Sequence, residues 1–92
     1  MQRGFKVLKP DFTVRILKGG DQPIRLTVVV GKKISNSAVV RNRTKRRVRE
    51  AFIPYMENKR GVSVVVFPKQ QAIETDFEKL KNEAKECLNQ VV

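Results

Sequence analysis

The stretch AVVRNRTKRRVREAF, residues 38–52, places six Lys and Arg side chains within nine positions, from Arg41 to Arg49. Such a density of like charge is unfavourable in a helix unless an anion lies beside it. Asn36 or Ser37 is a suitable N-cap, and Pro54 would kink or end a helix. We therefore predict a helix from this cap to about Tyr55 or Met56.

The two sides of this helix differ in character. At about 100° per residue, one side collects residues that can be buried: Val40, Thr44, Val48, Ala51, Phe52 and Tyr55. The opposite side carries Asn42, Lys45, Arg46 and Arg49, flanked by Arg43 and Arg47. The pattern predicts a helix that packs on a sheet with one side and presents cations with the other.

Three segments around this helix have the composition of strands. DFTVRIL (11–17) alternates apolar and polar residues, and the β-branched IRLTVVV (24–30) is followed by Gly31. KGGDQP between them is typical of a turn. GVSVVVF (61–67) is a nearly continuous apolar run ended by Pro68, which predicts a strand covered on both faces.

A second, amphipathic helix is predicted from Thr75 to about Val91. Its apolar side holds Phe77, Leu80, Ala84, Leu88 and Val91. Thr75 and Glu78 have the spacing of a capping box. The acidic residues of this helix are expected on a solvated face, and Cys87 is expected to pack in the core rather than to react.

Length and charge limit the class of protein. The 92 residues correspond to one domain with a modest core, and the net charge is +11. Residues 1–60 hold 16 of the 20 Lys and Arg residues but only four of the nine Asp and Glu residues. A polyanionic partner is implied, with nucleic acid favoured over an anionic membrane surface.

Several residue types that carry chemistry are missing. The chain has no histidine, which is the commonest general base and metal ligand, and its one cysteine cannot form an internal disulfide. No apolar run approaches the roughly 20 residues of a membrane span, and no signal-peptide core is present. A soluble, cytoplasmic protein is expected.

The cationic side of the first helix is better suited to phosphate binding than to solubility alone. Solvated faces usually mix charges, whereas this one is almost purely positive and rich in arginine, whose planar fork binds phosphate and stacks on bases. Lys32 and Lys33 extend the patch toward the helix N-terminus, which itself favours anions. The residues therefore predict an RNA- or DNA-binding platform.

The segment GKKISNSAVVRNRTKRRVREAF (31–52) resembles the signature of the protein subunit of bacterial ribonuclease P. That family has a Lys-Lys pair ending a strand, then a helix with an Arg-Asn-Arg triplet, further cations and a Glu-Ala-Phe-like ending. The matching residues are Lys32, Lys33, Arg41, Asn42, Arg43, Lys45, Arg46, Arg49, Ala51 and Phe52. The order of the flanking strands and of the C-terminal helix also agrees.

The resemblance implies a fold and a function. The fold would be α+β, a small two-layer sandwich whose basic helix forms a left-handed βαβ crossover, an exception to the usual hand. The enzyme is a ribonucleoprotein that removes the 5′ leader of precursor tRNA, with hydrolysis performed by the RNA subunit and its magnesium ions. The implied partners are that RNA subunit and precursor tRNA. No catalytic residue, metal, small-molecule substrate or membrane is assigned to the protein.

The resemblance also implies roles for single residues. Arg41, Asn42 and Arg43 would contact or position RNA near the catalytic centre, and Lys32 and Lys33 would meet phosphates. Lys45, Arg46 and Arg49 would line the adjoining surface or the path of the leader. Phe12 and Arg15 are candidates for the leader cleft. Arg15 stands at a strand position where the family often has an aromatic residue. Phe5 or Phe12 could supply an aromatic ring instead, although a core role is favoured for Phe12.

The chain departs from the family at its start. Family members usually carry an N-terminal basic helix that forms one wall of the cleft, whereas MQRGFKV begins about where that helix would finish. A naturally short or trimmed chain is expected. Two alternatives stay open: another basic RNA-binding module, such as a ribosomal protein or RNA chaperone, and a self-sufficient protein nuclease.

Overall fold

The computed structural model describes residues 3–56 and 59–89. In these residues it contains four strands and two α-helices, with a short 3-10 helix after the first α-helix and another before the second. Their bounds are β1 Arg3–Leu8, β2 Phe12–Pro23, β3 Arg25–Val28, α1 Ala38–Phe52, a 3-10 helix Ile53–Tyr55, β4 Arg60–Pro68, a 3-10 helix Gln70–Ile73 and α2 Phe77–Asn89.

The strands form one sheet in the order β1-β2-β4-β3. β2 pairs antiparallel with β1 and with β4, while β3 pairs parallel with β4. α1 joins the two parallel neighbours, so it is the crossover helix that was predicted. The α+β fold class is confirmed.

Both α-helices cover the same face of the sheet. The core contains Phe12, Val14 and Ile16 of β2, alternating valines of β4, and residues of both helices, including Val48, Phe52, Leu80 and Leu88. The rings of Phe12 and Phe52 lie 5.3 Å apart in a tilted arrangement, which favours aromatic packing. The core thus fixes the side of α1 that faces the sheet.

The opposite face of the sheet is open in the described structure. Ser63 and Val65 of β4 are only half-buried and Phe67 is exposed, whereas Val62, Val64 and Val66 point into the core. The prediction that β4 is covered on both faces is therefore wrong. A run of β-branched residues suits a strand with one half-open face as well.

Two parts of the sheet were not predicted. β1 was missed, and β2 continues through the KGGDQP segment that was expected to be a turn. The register between β2 and β4 shifts between Lys18 and Pro23, a bulge that brings Gly61 against Gly20. Gly61 has φ +69°, and a Cβ there would lie 2.5 Å from the carbonyl oxygen of Gly20.

The start of α2 also differs from the prediction. The predicted capping box is not formed: among the described residues the Thr75 hydroxyl bonds with Asp11 Oδ1 at 2.6 Å and the Gln71 carbonyl oxygen at 2.8 Å, and not with the Glu78 amide. α2 begins at Phe77, and the predicted end near Val91 lies outside the described residues. Glu83 is buried rather than solvated. Cys87 is buried as predicted, and this burial raises the pKa of its thiol to about 11.

Candidate nucleic-acid interface

The exposed side of α1 carries the cations that were predicted there. Asn42, Arg43, Lys45, Arg46 and Arg49 are exposed. Thr44, Val48, Ala51 and Phe52 are buried on the other side. The buried Thr44 hydroxyl donates to the Val40 carbonyl oxygen at 2.8 Å, so the one polar residue of the buried stripe is satisfied. The predicted division of the helix into two sides is confirmed.

The N-terminus of α1 is capped by Ser37, one of the two residues predicted for this role. Its hydroxyl accepts from the backbone amide of Val40 at 3.3 Å. Lys32 and Lys33 are exposed in the turn that precedes the cap. Arg41 is half-buried, and its Nη1 donates to the Ser35 carbonyl oxygen at 2.9 Å, which ties the first turn of the helix to this loop.

Arg47 has a different environment from the other arginines of α1. Its guanidinium donates to the carbonyl oxygens of Ile73, at 2.8 Å, and of Thr75, in the segment that leads into α2. Arg47 therefore joins α1 to the start of α2. The sequence showed Arg47 only as a flanking cation, because its partners are 26 and 28 residues away.

The exposed cations of α1 and of the turn before it form no ion pair within the described part of the chain. Ion pairs there join Lys9 to Glu86, Arg60 to Asp21, Lys79 to Asp11 and Lys81 to Glu78. None involves the exposed cations of the α1 surface, which we define as Lys32, Lys33, Arg43, Lys45, Arg46 and Arg49. Their mutual repulsion is relieved when phosphates bind, so the α1 surface favours a polyanion.

The exposed side of α1 contains a hollow. This shallow hollow is lined by Asn42, Lys45, Arg46, Arg49, Glu50 and Ile53. Its lining includes two guanidinium groups and one ammonium group, so a phosphate bound there can accept several charge-assisted hydrogen bonds. Glu50 is the carboxylate on this wall and would disfavour a phosphate directly beside it.

The open face of the sheet holds a second group of cations. Lys6 and Arg15 are register partners on β1 and β2, and both are exposed beside a hollow lined by Gly4, Phe5, Lys6, Arg15 and Leu17. Phe67 is exposed on the same face, opposite Thr13. Phe12 has no exposed surface, so the core role favoured for it is confirmed and its candidacy for the leader cleft is wrong.

Phe67 and Lys6 were missed as candidates by the sequence analysis. The signal for Phe67 was its spacing, because it alternates with Val62, Val64 and Val66 and so points away from the core. Lys6 was missed because β1 itself was not predicted. The sheet thus lies between two cationic surfaces, the α1 surface on one side and the Lys6–Arg15 face on the other.

The described residues contain neither a cluster suited to a metal ion nor a helix suited to crossing a membrane. Among residues 3–56 and 59–89, no three His, Cys, Asp or Glu side chains are grouped in a way that would hold a metal ion. No helix in these ranges has the length and apolar character needed to cross a membrane.

Comparison with known proteins identifies the same family as the one that segment 31–52 resembles. A family model described as Ribonuclease P matches residues 1–92. The ribonuclease P protein component of Symbiobacterium thermophilum is 34% identical over 86 residues, covering 91% of this chain and 74% of that protein. The corresponding protein of a Cyanothece species is 32% identical over 72 residues, covering 75% of this chain and 53% of that protein. The chain thus spans about half to three-quarters of the length of these relatives.

Solved structures give the same result at the level of the fold. The RNase P protein from Thermotoga maritima superposes with a TM-score of 0.81 at 28% identity, covering 98% of this chain and 88% of that one. The match includes the four-stranded sheet and both helices that position the α1 surface. The chain belongs to the ribonuclease P protein family.

Proposed function

We propose that this chain is the protein subunit of ribonuclease P, which binds the catalytic RNA subunit and precursor tRNA and promotes removal of the 5′ leader. The observation that carries the proposal is the α1 surface: six exposed cations without carboxylate partners in the described structure, on a helix and the turn before it, with the other side of the helix buried. Family membership makes RNA the expected polyanion. The site of action would be the cytoplasm.

The α1 surface is assigned to structured RNA. Arg43, Lys45, Arg46 and Arg49 would bind backbone phosphates, and the arginines can do so with two parallel hydrogen bonds. Lys32 and Lys33 would contact phosphates at the N-terminal end of α1. Asn42 adds a neutral donor and acceptor in the same hollow.

Arg41 has a more limited role in this proposal. Its Nη1 is already bound to the Ser35 carbonyl oxygen. The rest of its guanidinium can meet RNA while this bond holds its orientation. Arg41 would therefore position the N-terminal end of the α1 surface as well as contact the nucleic acid.

The open face of the sheet is assigned to the single-stranded leader. Lys6 and Arg15 supply positive charge, and the ring of Phe67 and the plane of the Arg15 guanidinium offer stacking surfaces for bases. Stacking is tolerant of sequence, because every base has a π-face. Such a surface would accept leaders of varied sequence.

The chemistry of hydrolysis is assigned to the RNA subunit. Its magnesium ions would activate the attacking water and stabilise the leaving oxygen. The protein would raise the affinity for substrate by adding cationic contacts that the RNA cannot make for itself. No histidine is available in the chain for general acid–base catalysis.

The test is cleavage of a precursor tRNA by a bacterial ribonuclease P RNA at low magnesium concentration, with and without the protein. We expect stimulated cleavage at the mature 5′ end and no cleavage by the protein alone. Cleavage by the protein alone would indicate a self-sufficient nuclease. Tight binding to the RNA without stimulation would instead indicate another type of RNA-binding module.

Matched variants assign the two surfaces. Arg46→Gln should weaken stimulation for every substrate, whereas Arg15→Gln should weaken it only for precursors with a leader long enough to reach the sheet. Arg60→Gln is the control, because Arg60 is an exposed cation paired with Asp21 at the far end of the sheet. An equal effect of all three variants would show that net charge, and not these surfaces, supports binding.

A further inference from the structure

Two buried carboxyl groups meet where the β1–β2 turn contacts α2. Asp11 is the last residue of this turn and has no exposed surface, and Glu83 on α2 is 5% exposed. The Asp11 amide donates to Glu83 Oε1 at 3.2 Å, which brings the two buried carboxyl groups close together. Burial of two carboxyl groups this close requires compensation, because two negative charges there would repel strongly.

The donors around the pair are unevenly distributed. Asp11 Oδ1 accepts from Gln71 Nε2 at 2.9 Å and from the Thr75 hydroxyl at 2.6 Å. Lys79 Nζ lies 3.9 Å from Asp11 Oδ2. Glu83, in contrast, accepts one hydrogen bond, from the backbone amide of Asp11. The charge is therefore better stabilised on Asp11 than on Glu83.

One oxygen of each group lacks a donor among the described residues. Asp11 Oδ2 and Glu83 Oε2 are both buried, and neither has a hydrogen-bond partner there. A single proton on Glu83 removes both deficits, because the acid then donates to the neighbouring carboxylate. Such a pair carries one negative charge, which Lys79 can balance.

The other charged groups nearby do not replace this proton. Lys9 in the turn pairs with Glu86 on α2, with 3.3 Å between Nζ and Oε2. Cys87 lies on the same helix, and burial raises the pKa of its thiol to about 11, so it stays neutral in the range where Glu83 titrates. The local field thus comes from Asp11, Lys79, Lys9 and Glu86.

We propose that Asp11 and Glu83 share one proton and act as a proton-dependent latch that holds the β1–β2 turn against α2. While Glu83 carries the proton, the turn and the helix are joined by an acid–carboxylate hydrogen bond and by the Asp11 amide. Loss of the proton leaves two buried charges, and within the described residues Lys79, 3.9 Å from Asp11 Oδ2, is the one cation paired with either of them. The contact then weakens, and α2 is held less tightly to the sheet.

The direction of the pH dependence follows from the two pKa values. Burial and the neighbouring Asp11 raise the pKa of Glu83 from its ordinary value of 4.5 to about 7. Between these values the native protein binds more protons than the unfolded chain, so its stability falls as the pH rises. For Asp11, burial would raise the pKa, but its hydrogen bonds and Lys79 outweigh that effect and lower it. The stability it contributes is lost only in acid.

The test compares unfolding of the wild type with that of Glu83→Gln between pH 5 and pH 8. The glutamine amide can donate to Asp11 Oδ2 as the protonated acid does, but it cannot titrate. We expect the unfolding constant of the wild type, relative to that of Glu83→Gln, to rise on the order of fiftyfold across this range. Glu78→Gln, which alters an exposed carboxylate of the same helix, should follow the wild type.

Two outcomes would overturn the latch. Parallel pH profiles for wild type and Glu83→Gln would show that Glu83 does not titrate in this range. If Glu83→Gln does not fold, carbon-13 NMR of the Glu83 carboxyl in the wild type decides the question. A midpoint near 7 supports the shared proton, and a midpoint near 4.5 refutes it.

Discussion

Arg46 and Arg47 are adjacent in the sequence, and replacing each with methionine should separate RNA binding from stability. Arg47 donates to the carbonyl oxygens of Ile73 and Thr75, whereas Arg46 is exposed on the α1 surface. A hydrogen bond from a charged donor contributes about 1.5–3 kcal/mol. With two such bonds, partly shielded from water, we expect Arg47→Met to lower the free energy of unfolding by about 2–4 kcal/mol.

Arg46→Met should leave the fold nearly unchanged. Exposed substitutions of this kind usually alter stability by less than about 0.5 kcal/mol. In a domain of this size each kcal/mol corresponds to about 4–8 °C in Tm. Arg47→Met should therefore melt at least about 6 °C lower than Arg46→Met, as measured by circular dichroism, and should unfold at a lower urea concentration.

RNA binding should show the reverse order. Removal of one phosphate contact reduces the slope of log affinity against log salt by about one. We expect this reduction for Arg46→Met, and no change in slope for Arg47→Met at temperatures where it is folded. If Arg47→Met were as stable as the wild type and had the reduced slope, the assignment of Arg47 to the carbonyls of the α2 start would be refuted.

Three further predictions concern the surface, the sheet and the core. If the six cations of the α1 surface each neutralise a phosphate, affinity for RNA should fall on the order of a thousandfold between 50 and 200 mM salt. A flat response in a binding titration would contradict this. Gly61→Ala should lower the free energy of unfolding by about 1–3 kcal/mol, because residue 61 has a positive φ and its Cβ would lie against the Gly20 carbonyl oxygen. Gly19→Ala, whose Cβ meets nothing within 4 Å, is its control, and equal stability of the two variants would argue against the bulge. Cys87 should resist alkylation in the native protein and react on unfolding, because burial keeps the thiol neutral and inaccessible; rapid labelling of the folded protein would contradict this.

The features that the sequence predicted correctly are those with local causes. Ser37 caps α1 through a contact three residues away, and Thr44, Val48 and Phe52 share a side of the helix because of its period. The exposed cations follow from the same geometry. These features depend on neighbouring residues, so their pattern is visible in a single chain.

The errors arose where distant partners decide the structure. Thr75 has the spacing of a capping box, but its hydroxyl lies against Asp11, 64 residues earlier. The KGGDQP segment has turn residues, but its ends pair with β1 and β4. Glu83 lies three residues after Leu80 and four before Cys87, so its spacing places it on the buried side of α2; what the spacing cannot show is its partner Asp11, 72 residues earlier. A local pattern cannot show such long-range contacts.

The way α1 is connected has a mechanical consequence. Its two ends continue into β3 and β4, which are neighbours in the same sheet, so a force applied to α1 by a bound partner is carried to two adjacent strands. β4 is held on both sides, by β2 and by β3, whereas the four residues of β3 have β4 as their one described neighbour. Under load, β3 is the element expected to detach first, and its hydrogen bonds to β4 set how firmly the helix is anchored.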